Sequence, residues 1–84
     1  MYRIVTDSTV LDQLDALPSE ALSGYAEVLD VLELAPWNGR PYNEEKPDIP
    51  MRELVFGAHG EGAVTYMVLE REREVHVLVV QWAG

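Results

Sequence analysis

Few side chains in this sequence can move a proton or hold an anion near neutral pH. The two histidines are His59, inside the turn-forming run Gly57-Ala58-His59-Gly60-Glu61-Gly62, and His76, in the valine-rich stretch Val75 to Trp82. An imidazole titrates near neutrality, so His59 could serve as a general acid or base, although a histidine in such a turn is more often simply solvated. His76, between valines, reads as packed or hydrogen-bonded. Arg71 and Arg73 alternate with Glu70, Glu72 and Glu74, a pattern that favours ion pairing with neighbours. Two histidines without a defined spacing, in a chain with no cysteine, give no metal site. Gly57, Gly60 and Gly62 are no phosphate loop, because the Lys-Ser/Thr element and a following helix are absent. No metal and no cofactor is therefore expected.

Aromatic side chains offer the other kind of site, a surface for a partner. The stretch Leu34 to Leu54 holds four of the chain's five prolines and joins an apolar helical pattern to a run of strands. Connectors of that length are uncommon in small domains and are usually functional or disordered. Trp37, Tyr42 and Ile49 argue that this one is ordered. Trp37 either staples the loop over the helices or, with Arg40 and Tyr42, faces a partner. Trp82 is a further candidate for partner contact.

Positioning these residues falls to one small domain, residues 1–84, since a chain of 84 residues supports one core. Acidic residues number 15 against 6 Lys plus Arg, a formal net charge of −9. A field of that sign repels phosphate backbones, so binding to free DNA is not expected. The longest strictly apolar run is Val77 to Val80, far short of the roughly 20 residues needed to span a bilayer. With no cysteine and no secretory signal pattern at Met1 to Asp7, the expected location is the cytoplasm.

Tyr2 to Thr6 predicts a strand, and Asp7-Ser8 a helix cap. Val10, Leu11, Leu14 and Leu17 form a helical stripe over residues 8–17. Pro18 restarts a second helix, striped by Ala21, Leu22, Tyr25, Leu29 and Leu32 with Val28 beside it. From Trp37 to Pro50, the prolines and Asn38-Gly39 exclude both helix and central strand. Three strands follow, Met51 to Phe56, Ala63 to Glu70 and Val75 to Trp82, joined by short connectors into an antiparallel meander. In the last of them Val75, Val77 and Val79 alternate with His76, Leu78, Val80 and Trp82. The fold class is therefore α+β, in the order β-α-α-β-β-β, with an antiparallel sheet packed on a helix hairpin. The other sheet face should present an uncovered apolar patch, a common mark of partner contact.

Over nearly its whole length, the chain resembles the RelE/ParE superfamily of small bacterial toxins. The carrying residues are "YRIV", the hairpin junction "LDQLDALPSEAL" and, above all, "MRELVFGAHGEGAVTYMVLEREREVHVLVVQW" with its Thr65-Tyr66-Met67-Val68 segment. The resemblance implies a toxin component of a type II toxin-antitoxin system, with a cognate antitoxin as partner. In the RelE branch it also implies a ribosome-dependent endonuclease meeting ribosome and messenger RNA. Arg52 stands where the family commonly opens its second strand with a basic residue, so the resemblance makes it the phosphate contact. His59 is then a replacement proton shuttle. Ala63 replaces a frequent arginine, and Gln81-Trp82-Ala83-Gly84 replaces further basic residues and a late tyrosine. The alternative is a non-catalytic module of the same fold, binding a protein through the open sheet face, Trp82 and the Trp37-Tyr42 loop. The sequence leaves the oligomeric state open.

Overall fold

A computed structural model describes all 84 residues, Met1 to Gly84. The elements run β1 (Arg3–Thr6), α1 (Ser8–Asp15), α2 (Ser19–Leu34), a short 3-10 turn (Pro36–Asn38), β2 (Arg40–Pro41), β3 (Met51–Phe56), β4 (Gly62–Leu69) and β5 (Glu74–Trp82). They make one five-stranded sheet in the order β1-β5-β4-β3-β2. The meander β3-β4-β5 is antiparallel, as its short connectors require, and β2 adds antiparallel to β3. β1 pairs parallel with β5, which makes the sheet mixed. That pairing needs a crossover long enough to return the chain, and the intervening helices and strands supply it. The expected α+β fold is thus present, with a parallel edge that the repeat pattern does not announce.

The Asp7 side chain accepts from the Val10 amide at 2.9 Å, satisfying one of the orphan N–H groups that open α1. α1 is shorter than residues 8–17, ending at Asp15. Pro18 stands just outside α2 as its N-cap, with extended backbone and no side-chain donor or acceptor to contribute. The buried stripe of α2 is Ala21, Tyr25, Val28 and Leu32, the i, i+4, i+7, i+11 spacing of one helix face. Leu22, placed in the stripe by the sequence reading, is half exposed because it falls one residue off that face.

Both helices cover one face of the sheet. The core there joins Val10, Tyr25, Val28 and Leu32 to Phe56, Val64, Tyr66, Val68, Val75, Val77 and Val80. Full burial of each such side chain stabilises by about 1.5–3 kcal/mol. In β5 the alternation breaks. Thr65 pairs with Val79 and Tyr66 with Val77, so Leu78 is an extra residue, a β-bulge. The bulge turns Val80 and Trp82 onto the same face as Val75 and Val77 and sends Val79 to the opposite one. The Val80 amide donates to Gln13 Oε1 of α1 at 2.8 Å, tying the helix to the strand just past the irregularity.

Candidate functional site

The most connected polar constellation lies where the β4-β5 turn meets the start of β1 and the long connector. Tyr2 Oη donates to Glu70 Oε1 at 2.6 Å, and Trp37 Nε1 donates to the same oxygen at 2.8 Å. Arg73 Nη1 donates to Glu70 Oε2 at 2.7 Å and to Tyr2 Oη at 3.0 Å, and its guanidinium lies 4.1 Å from the Tyr2 ring centroid. Arg73 adopts a positive φ of 54°, a left-handed conformation that costs a non-glycine residue about 1 kcal/mol or more. The two hydrogen bonds and the ring contact hold it there.

These donors fix the protonation of the group. The hydroxyl of Tyr2, then Trp37 and Arg73, hold the Glu70 carboxyl at about 2, well below its ordinary 4.5. The same hydrogen bond to Glu70 raises Tyr2 above the usual phenol value, because the carboxylate stabilises the protonated phenol. At neutral pH the constellation therefore offers a guanidinium and a phenol proton beside a fixed carboxylate. The half-exposed guanidinium can meet an anion, but the phenol proton is committed to Glu70, and Glu70 is too weak a base to take one readily.

Arg52 connects to this group through Trp37, its guanidinium lying 5.0 Å from the indole ring centroid. Two of its donors go to the connector backbone, Nη2 to the Pro47 carbonyl at 3.1 Å and Nη1 to the Gly39 carbonyl at 3.4 Å, while Nε is buried without a partner. Beneath it, Tyr66 Oη donates to the Pro36 carbonyl at 2.6 Å. Burial pushes the Tyr66 phenol up to about 12. Gly39 must be glycine, since a Cβ there would collide with Tyr66 Oη and sit 3.0 Å from the Glu53 carbonyl. Prolines, Gly39, Tyr66 and Arg52 together make the long connector a packed crossing.

The residues singled out in the sequence do not converge. His59 is exposed in the β3-β4 turn, its amide donating to Glu61 Oε1 at 2.7 Å. That amide is the main reason the Glu61 carboxyl titrates below its usual range. Arg52 pairs with Tyr66 near one end of the β3-β4 ladder, while the turn follows Phe56 at the other. Four strand residues at ~3.3 Å each put roughly 13 Å between the two ends. Arg52 and His59 therefore do not face one reacting atom. Arg40 is engaged by Glu53 across β2 and β3, with Nε to Oε1 at 2.9 Å. Tyr42 is exposed, and Trp37 is exposed along one edge while its indole N–H serves Glu70. Trp82, expected beside the open sheet face, lies on the helix side instead, its ring centroid 5.8 Å from that of Phe56 and its edge against Gly57. The Leu78 bulge is the reason. His76 sits on the open face, with Nε2 3.0 Å from Glu74 Oε1, and Glu74 also binds Arg3. His76 and Arg3 together hold the Glu74 carboxyl below its usual range. No group of three potential ligands is placed to hold a metal ion.

Tyr2 and Glu70 were missed by the sequence reading. The Glu-Arg alternation marks charge around residue 70, but no spacing rule links it to residue 2. The open face carries Val5, Met67, Leu69 and Val79 between the Arg3-Glu74-His76 and Arg40-Glu53 groups. The helix layer is electrostatically one-sided, because from Ile4 to Gly39 there are seven acidic residues and no basic one.

No protein-family model matches the sequence, and no curated protein is similar to it in sequence. Solved structures do match over the whole chain. The isolated RelE toxin of E. coli superposes with a TM-score of 0.72 at 18% identity, covering 100% of this chain and 86% of that one. An E. coli RelE variant in complex with a peptide of the antitoxin RelB gives 0.78 at 16% identity, covering 99% and 84%. The archaeal RelE-RelB complex of Pyrococcus horikoshii gives 0.67 at 20%, covering 99% and 96%. The fold is RelE-like.

Proposed function

We propose that this chain is the toxin component of a toxin-antitoxin pair and that it acts through a protein contact, with a cognate antitoxin as its regulating partner. The observation that carries the reading is the superposition of 99% of the chain, at a TM-score of 0.78, on a RelE structure bound to its antitoxin peptide. Contact with a protein suits the site better than cleavage of RNA does. Arg52 is spent on the connector backbone, His59 lies at the far end of the strand, and Glu70 stays ionised.

Ribosome-dependent cleavage of messenger RNA is the second reading, supported by one feature. Arg73 is half exposed, its guanidinium beside the Tyr2 phenol, which places a cation at the surface where a phosphate can meet it. Inducible expression in a bacterial host tests the first reading, with arrested growth expected and unaffected growth refuting it. Mapping new messenger RNA ends after adding the purified protein to translating ribosomes separates the two. Codon-phased ends that vanish in Arg73→Ala support cleavage through Arg73, and loss in His59→Ala or Arg52→Ala instead returns catalysis to those residues. Growth arrest without new ends supports action through a protein contact.

A further inference from the structure

β2 covers only half of β3. Its register pairs Arg40 with Glu53 and Pro41 with Arg52, and the Tyr42 amide extends the ladder by donating to the Met51 carbonyl at 3.0 Å. Backbone groups alternate sides along an antiparallel strand, so Met51, Glu53 and Val55 point toward β2 while Arg52, Leu54 and Phe56 point toward β4. Val55 is the member of that first set with no strand opposite it. Its N–H and C=O face outward, and its side chain is 52% exposed.

Beside this bare edge runs an open groove of about 300 Å³, floored by Leu54, Val55, Phe56 and Gly57 and walled by Gly24, Glu27, Val28 and Val31 of α2. Gly24 allows the approach, since a Cβ there would stand 3.1 Å from the Phe56 ring. The wall belongs to the helix layer in which every ionisable side chain except Tyr25 is acidic, and Glu27 stands at the groove itself.

We infer that this edge is the docking site for an extended, basic peptide segment of a protein partner, which adds a short strand outside Val55 and lays its alternate side chains against α2. Unpaired N–H and C=O groups on an edge strand are satisfied by an incoming strand, which supplies affinity through the main chain and specificity through alternate pockets. An apolar residue at one position meets Val28 and Val31. Lys or Arg at the position two residues away reaches Glu27. The uniform negative charge of the helix layer selects a basic segment and disfavours an acidic one. The assignment of this segment to the antitoxin rests on the toxin-antitoxin reading, whereas the docking edge rests on geometry and charge.

The test is selection of a displayed library of random dodecapeptides on the folded protein, followed by synthesis of the enriched sequences. Enrichment of peptides carrying Lys or Arg two residues from an apolar residue is expected. Their binding should weaken several-fold between 50 and 300 mM salt, and amide shifts in the isotope-labelled protein should centre on Val55 and α2. Val55→Pro removes the outward N–H at a position where an edge strand tolerates proline and should weaken binding at least ten-fold. Glu27→Lys on the exposed helix surface should lower the preference for basic sequences and leave folding intact. The inference is overturned by no enrichment, by enrichment of acidic or uncharged peptides, or by amide shifts elsewhere. Peptides docking at Val55 in a protein that does not arrest growth would retain the edge and remove the toxin reading. Growth arrest with no peptide at Val55 would do the reverse.

Discussion

Arg52 is the residue on which the catalytic and structural readings part most clearly. In the structure it bonds the Pro47 carbonyl at 3.1 Å and the Gly39 carbonyl at 3.4 Å and lies over the Trp37 ring at 5.0 Å. Truncation in Arg52→Ala removes all three contacts and frees the connector they hold. The bond to Pro47 contributes about 1 kcal/mol at this partly exposed site, and the longer one to Gly39 roughly 0.5. The ring contact contributes about 0.5–1 kcal/mol. The expected loss is therefore about 2 kcal/mol. With a urea dependence of roughly 1 kcal/mol per molar for a domain of this size, the unfolding midpoint should fall by about 2 M. Hydrogen exchange should speed in the segment Trp37 to Pro50 before it does in β4. Adding Trp37→Ala in a double-mutant cycle should return a coupling near the ring-contact value. A midpoint within about 0.3 M of the parent would refute the clamp, and Arg52 would then be free for a ligand.

Tyr66→Phe leaves the Pro36 carbonyl unpaired beneath the connector and should cost about 1–3 kcal/mol in a urea melt, with the phenol of the parent silent in a spectroscopic titration until about pH 12. Glu70 titrates at about 2 in the folded chain against 4.5 ordinarily, so its contribution is complete above 4.5 and is lost as pH falls from there toward 2. Stability followed against pH should decline across that window, and Glu70→Gln, less stable at neutral pH, should show a flatter profile. Trp82→Ala opens a cavity beside Phe56 and should destabilise by about 2–3 kcal/mol, less than full burial would give because the ring is half-buried. Unchanged thermal stability in that variant would return Trp82 to the surface.

Charge adds to this functional picture. None of the six cations lies in the helix layer, and four of them are engaged, Arg3 by Glu74, Arg40 by Glu53, Arg73 by Glu70 and Arg52 by the connector. The helix layer carries only acids. A partner approaching from that side meets an uninterrupted negative field, which sets the expected sign of its own surface. No helix is long and apolar enough to cross a membrane.

Local pattern was sufficient for the two helices and the three-stranded meander. Helical periodicity through Ala21, Tyr25, Val28 and Leu32 and alternation through Val64, Tyr66 and Val68 are each written within one element, where neighbours along the chain are neighbours in space. Composition likewise settled the acidic charge, and the prolines and Asn38-Gly39 marked the connector. Tertiary structure alone decided the sites. A period of two cannot show where a strand slips, so the Leu78 bulge that carries Trp82 to the helix side was invisible until Thr65 and Tyr66 were paired with Val79 and Val77. The parallel pairing of β1 and β5 joins residues 71 apart, Arg3 with Glu74 and Ile4 with Val75. From it follows the meeting of Tyr2, Glu70 and Arg73, which no local spacing encodes. Arg52 shows the same limit in a single residue. Its type and strand position suggest a cation awaiting a phosphate, and the carbonyls folded over it decide that the cation is already occupied.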